Sequence, residues 1–175
     1  MSDTSSIKIN RAPVLTLWAT VVAERLGFDH DEALTLGRAV AGLNAYSKGK
    51  SLGLFKPSSE GLRAKRQEAP AGEFEIELLN RAVPVAMTLD GIRAMAKGKP
   101  AKSASVEKYL VSKFGEQLEA VTRAMADLAK AHSPQELAEI GFKLYEQFRP
   151  SVPKGVEGWG VEGQLDISAI RNARL

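Results

Sequence analysis

The sequence predicts a mostly α fold: about six helices with at most one small β-hairpin or strand, arranged as a helical hairpin plus a C-terminal helical bundle. Three observations predict it. Apolar residues recur at helical spacing over 14–26, 33–44 and 118–148. Helix start and stop residues bracket those stretches. Strict period-2 alternation is confined to one run, Glu73-Phe-Glu-Ile-Glu-Leu78.

Pro13 suits the first turn of a helix, where a missing N–H costs nothing. Val14, Leu17, Trp18, Val21, Val22 and Leu26 follow at helical period, and Gly27 is placed to stop the helix. Asp29 or Asp31 then caps a second helix, with Glu32 complementing its N-terminal dipole. Its stripe, Ala33, Gly37, Val40, Ala41 and Asn44, carries little bulk. Glycine inside a helix costs about 0.5–1 kcal/mol relative to alanine, so Gly37 predicts a close-packed helix. The neighbour is either the first helix of the same chain or the same helix of a second subunit. The short link between the two helices predicts an antiparallel hairpin.

Ser47 to Pro70 is rich in Lys, Gly, Ser and Pro and reads as a connector with a short helix at Ser59 to Gln67. Glu73 to Leu78 reads as a half-buried strand. Val83 to Met87 is a candidate second strand, with Pro84 confined to an edge because it cannot donate to a ladder. Thr88 reads as the cap of a helix from Leu89 to Lys97. Ser103 or Ser105 caps the next, ending at Phe114-Gly115, and a longer one runs from about Glu116 to Ala131. Ser133-Pro-Gln-Glu136 is a full capping box with proline at the first helical position. Asp166 caps a final short helix from Ile167. The organisation that follows is an N-terminal helical hairpin over 1–56, a connector over 57–72, a small β element with the helical bundle over 73–148, and a Pro/Gly-rich tail over 149–175 that carries Trp159.

The 175-residue chain contains no cysteine and two histidines. That excludes a disulfide framework, a thiolate zinc site and a cysteine nucleophile. His30 and His132 are not read as metal ligands, since no second histidine stands three or four positions from either. The three glutamates of Glu73–Glu77 read as the wet side of a sheet. Gly49-Lys50-Ser51 resembles the end of a phosphate-binding loop, but the pattern needs glycine where Asn44 stands, a strand before it and a helix after it. No catalytic residue, metal ligand or cofactor is predicted, and the reading leans away from an enzyme. No run approaches the roughly 18 apolar residues of a membrane span, and residues 1–10 lack a signal-peptide core. A soluble cytoplasmic protein with no membrane partner is the expectation.

The net charge is only +3, yet it is segregated. Residues 47–66 hold six cations and one anion, and residues 93–113 hold six and one. Residues 116–146 hold six acids and three bases. Thr88 to Gly115 therefore reads as helix, basic turn, helix, similar in outline to a helix-turn-helix. The candidate nucleic-acid-binding residues are Lys48, Lys50, Arg93, Lys97, Lys99, Lys102, Ser105, Lys108 and Ser112. Lysine and serine hold phosphate oxygens, and the outward face of 103–112 lacks Arg, Asn and Gln, the usual base readers. The expectation is a non-enzymatic nucleic-acid-binding or regulatory protein that grips the phosphate backbone without sequence preference. The alternative is a protein-interaction module or homo-oligomeric scaffold that uses the Gly37 helix face and the Trp159 tail.

Overall fold

The computed structural model describes residues 6–51, 73–89, 91–96, 99–150 and 162–173, with the side chains of 44–51 outside that description. The connector over 57–72, the Ser59–Gln67 helix, Lys97 and Trp159 therefore lie outside the described residues.

The expected helical hairpin is present. Helix α1 (Arg11–Arg25) and helix α2 (His30–Ser51) pack against each other along their lengths. Helix α1 begins two residues before Pro13. The proline still falls in the first turn, whose N–H groups have no intrahelical acceptor. Gly27 ends the helix with a φ of +113°, a conformation that glycine adopts without strain. Asp29 and Glu32 then form a reciprocal cap on α2. The Glu32 N–H donates to Asp29 Oδ1 (2.8 Å), and the Asp29 N–H donates to Glu32 Oε1 (3.1 Å). Residues 13–23 of α1 are all buried, so the helix is apolar around its whole circumference. Its two buried threonines bond within the helix: Thr16 donates to Ala12 O and Thr20 to Thr16 O, both at 2.8 Å. A Cβ on Gly37 would collide with Thr20 and with the Thr16 carbonyl. Gly37 thus faces the first helix of its own chain, and its face is not open to a second subunit.

The mostly-α expectation is overturned: the protein is α+β, with one two-stranded and one four-stranded antiparallel sheet among the described residues. Strands β2 (Glu73–Leu78), β3 (Arg81–Thr88), β4 (Gly91–Ala96) and β5 (Lys99–Pro100) stand in the order β2-β3-β4-β5. The stretch predicted as a helix from Leu89 is strand β4. Thr88 does not cap a helix; its hydroxyl donates to Gly91 O (2.7 Å) and closes the β3–β4 turn. Ala94, Met95 and Ala96 favour helix, but long-range pairing overrides that preference. Strand β3 takes one edge of β4. On the other edge the two residues of β5 reach only Met95 and Ala96. The uncovered donors go to α2: Ile92 N–H to Glu32 Oε2 (2.9 Å), and Ala94 N–H to Thr35 Oγ1 (3.1 Å). Pro84 lies in an inner strand, yet the β3–β4 ladder starts only at Val85, so no rung needs its missing N–H.

The β2–β3 turn places both Leu79 (φ +51°) and Asn80 (φ +64°) in the left-handed region, as a two-residue hairpin turn of matching twist requires. Leu79 is unusual there, and its burial supplies the reason. Its side chain fills the space that a Cβ on Gly141 would occupy, which plugs the hairpin tip into the helical core.

Strands β1 (Ser6–Asn10) and β6 (Glu162–Asp166), neither expected from the sequence, pair antiparallel to form the second sheet. The remaining helices are α3 (Ser103–Phe114), α4 (Leu118–Lys130), α5 (Pro134–Phe148) and α6 (Ile167–Asn172), with a 3-10 turn, Gly115–Gln117, before α4. The Ser133–Glu136 capping box forms in full, with bonds of 3.0 and 3.1 Å. Asp166 caps α6 through Ser168 N–H (2.9 Å). Trp18 ties α1 to α5: its indole N–H donates to Gly141 O (2.9 Å) and its ring meets Phe148 edge-on. Arg25 reaches the C-terminal end of α4, donating to Ala129 O and His132 O.

Candidate nucleic-acid interface

Helix α3 buries Val106, Leu110 and Phe114, a helical stripe that fixes which side faces out. At 100° per residue, Lys102 (the residue before the helix), Ser105, Lys108, Tyr109 and Ser112 fall within about a third of its circumference. Lys102, Ser105, Lys108 and Ser112 are exposed, as is Lys99 on β5. Among the described residues no carboxylate pairs with Lys99, Lys102 or Lys108. Lys102, Ser105, Lys108 and Ser112 therefore share one side of α3, and Lys99 is exposed on the strand leading into it.

The other four candidates are not part of that group as described. Arg93 stands on β4, opposite Ala86, and is 8% exposed; its guanidinium bonds to the carbonyl of its neighbour Ile92 (2.9 Å). The helix, basic turn, helix reading therefore fails, because its first limb is a strand. Lys48 and Lys50 fall on the last turns of α2, which runs on to Ser51 where a connector was expected; their side chains lie outside the described residues, as does Lys97. A helical backbone at 47–51 also removes the open Gly-Lys-Ser loop that an anion cradle would need.

Sequence reasoning missed how α2 crosses α3. Two contacts mark the two flanks of the crossing. On one flank His30 Nδ1 lies 2.7 Å from Glu24 of α1, and His30 Nε2 lies 3.7 Å from Glu107 of α3. Burial opposes the imidazolium, but the Glu24 carboxylate, with Glu107 and Asp31 behind it, outweighs that and raises the His30 pKa above its ordinary value. On the other flank the Arg38 guanidinium lies over the Tyr109 ring, 4.6 Å from its centroid. Burial pushes the Tyr109 hydroxyl up in pKa, against the smaller opposing effect of Arg38. The division matters electrostatically. Glu107, the one acid of α3, is drawn to the His30 flank and away from the side that carries Lys102 and Lys108. No local window reports either contact, because each joins residues about 70 positions apart.

Elsewhere a cleft of about 410 Å³ is lined by Asp127, Leu128, His132 and Arg171 between α4 and the C-terminal segment. Among the described residues no group of three or more histidine or acidic side chains could hold a metal ion. No described helix is long and apolar enough to cross a membrane. No family model, no curated protein and no solved structure matches the chain.

Proposed function

We propose that the protein is a non-enzymatic nucleic-acid-binding protein that grips the phosphate backbone through the outward side of α3 and the adjoining β5. The observation that carries this reading is the sharing of one side of α3 by Lys102, Lys108, Ser105 and Ser112, with Lys99 exposed just before the helix and no carboxylate partner for these lysines among the described residues. Unneutralised cations gain most from a polyanion, because each phosphate contact releases condensed counterions. Serine hydroxyls add hydrogen bonds to phosphate oxygens. The face offers no asparagine or glutamine to read base edges, so it holds backbone without reading sequence.

The test is a salt titration of binding to mixed-sequence oligonucleotides, single- and double-stranded, from about 50 to 200 mM salt, a range over which several phosphate contacts cost orders of magnitude in affinity. Affinity should fall linearly on a log–log plot, and replacing Lys99, Lys102 and Lys108 together by Glu should abolish binding to every sequence alike. A wild-type protein that binds neither form at low salt would remove the reading.

A second reading has its own observation. Phe74, Met87 and Leu89 are exposed at one end of the four-stranded sheet, at 43%, 60% and 106%, and register places Met87 opposite Ile92. Exposed apolar groups gathered this way favour a protein-interaction module. Its surface would be this sheet end and not the Gly37 face.

A further inference from the structure

We infer that the Arg38–Tyr109 stack is a platform for an unpaired base, so that the nucleic acid held by α3 is single-stranded. The inference rests on the phosphate-binding reading above and names its substrate class.

The geometry supplies the parts. A guanidinium is planar, and the Arg38 Cζ stands over the Tyr109 ring, 4.6 Å from its centroid. Arg38 is exposed and has no ion-pair partner among the described residues. One turn further along α2, Gly42 is exposed and has nothing within 4 Å of where a Cβ would stand, so the helix next to Arg38 adds no bulk there. On α3 the ring shares a line with Lys102, seven positions earlier, and has Ser105 and Ser112 one turn away on either side. Phosphate donors thus flank a flat, cationic surface. That pairing of a backbone-tracking charge with a stacking surface is what sequence-tolerant single-strand binding requires, since every base has a π-face. A duplex presents its bases already stacked and cannot offer one to the platform. Tyr109 acts from beneath: its half-buried ring attracts the guanidinium and holds it at this side of α3.

The experiment compares three probes of equal length and label by fluorescence anisotropy at low salt: oligo(dT), an abasic strand with the same phosphates, and a duplex. Wild type should bind oligo(dT) at least about fivefold tighter than the abasic strand, the lower range for stacking one base. Arg38→Lys keeps the charge but loses the plane, and should bind oligo(dT) and the abasic strand equally. Tyr109→Leu keeps apolar volume and should show the same loss, with Arg38→Lys as the variant that leaves the helix packing intact. Equal wild-type affinity for oligo(dT) and the abasic strand overturns the platform and leaves the phosphate reading standing. Tighter binding to the duplex also overturns it. Failure to bind any of the three overturns both.

Discussion

The α1–α2 hairpin and the four-stranded sheet spend their side chains in opposite ways. Every residue of α1 from 13 to 23 is buried, and α2 meets it so closely that Gly37 has no room for a single carbon. The sheet leaves Glu75, Glu77, Ala82 and Pro84 exposed on one face and Phe74 and Met87 exposed on the other. It is held to the helices by the buried residues Leu78, Val83, Val85 and Ala94, by the Leu79 plug against Gly141, and by the Glu32 and Thr35 bonds to β4. The difference teaches where each region is vulnerable. In the hairpin shape complementarity sets tolerance at nearly every position, while in the sheet it does so on one face only, with two polar bonds to α2 beside it.

The comparison breaks most readily at Gly37. Gly37→Leu would drive a side chain into Thr20 and the Thr16 backbone, and the cost should exceed the ~1–3 kcal/mol of ordinary overpacking, despite leucine's better helix propensity. A variant that melts at or above the wild-type temperature would show that the hairpin is not close-packed. The next effect belongs to the sheet's attachment. Thr35→Val keeps the volume of a side chain that is 0% exposed but leaves the Ala94 N–H without its acceptor. Urea denaturation should report a loss of about 1–3 kcal/mol, the cost of an unsatisfied buried group. A neutral Thr35→Val would mean that the bond does not anchor β4. By contrast, Met87→Thr on the exposed sheet end should stay within about 0.5 kcal/mol of wild type, since surface changes away from special features do so. A large loss there would reveal that the sheet end is covered in solution.

The smallest expected effect lies at the junction of the hairpin with α3. The folded-state pKa of His30 is raised, so its pairing with Glu24 and Glu107 adds stability that is fully present below the unfolded value of about 6.5. That stability is lost as pH rises through the folded value. The difference in urea midpoint between wild type and His30→Asn should therefore be largest near pH 5 and shrink toward pH 8. A difference that grows with pH would have the wrong sign for an imidazolium link.

The same contrast explains what was legible in the sequence. Helix ends carry local chemistry, so the Ser133–Glu136 box, the Asp166 cap and the Gly27 stop were readable, and each forms. Glu73–Leu78 was readable because one face is wet and the alternation strict. Strand β4 was not, because Ala94, Met95 and Ala96 favour helix and its partners lie in β3 and α2. Strand β1 has only Ile7 and Ile9 to mark a period, and β6 only Leu165 as a strong apolar residue; their pairing spans the chain. For the interface, the cations themselves were visible but not their directions. Arg93 fell on a sheet instead of a helix and went inward, and Arg38, in a helix read for its small residues, turned out to lie on Tyr109.

The pairing of Ser6–Asn10 with Glu162–Asp166 also bears on the order in which the molecule forms. On a growing chain β1 emerges first and waits, unpaired, until nearly all the described sequence has followed it. The hairpin's contacts are local and available early, whereas closing so long a loop carries the larger entropy cost and comes late. Loop-closure entropy therefore favours an order in which the helical pair condenses first and the two-stranded sheet closes last, as a clasp. Until then β1 carries an open strand edge, the kind of surface on which neighbouring chains can pair wrongly.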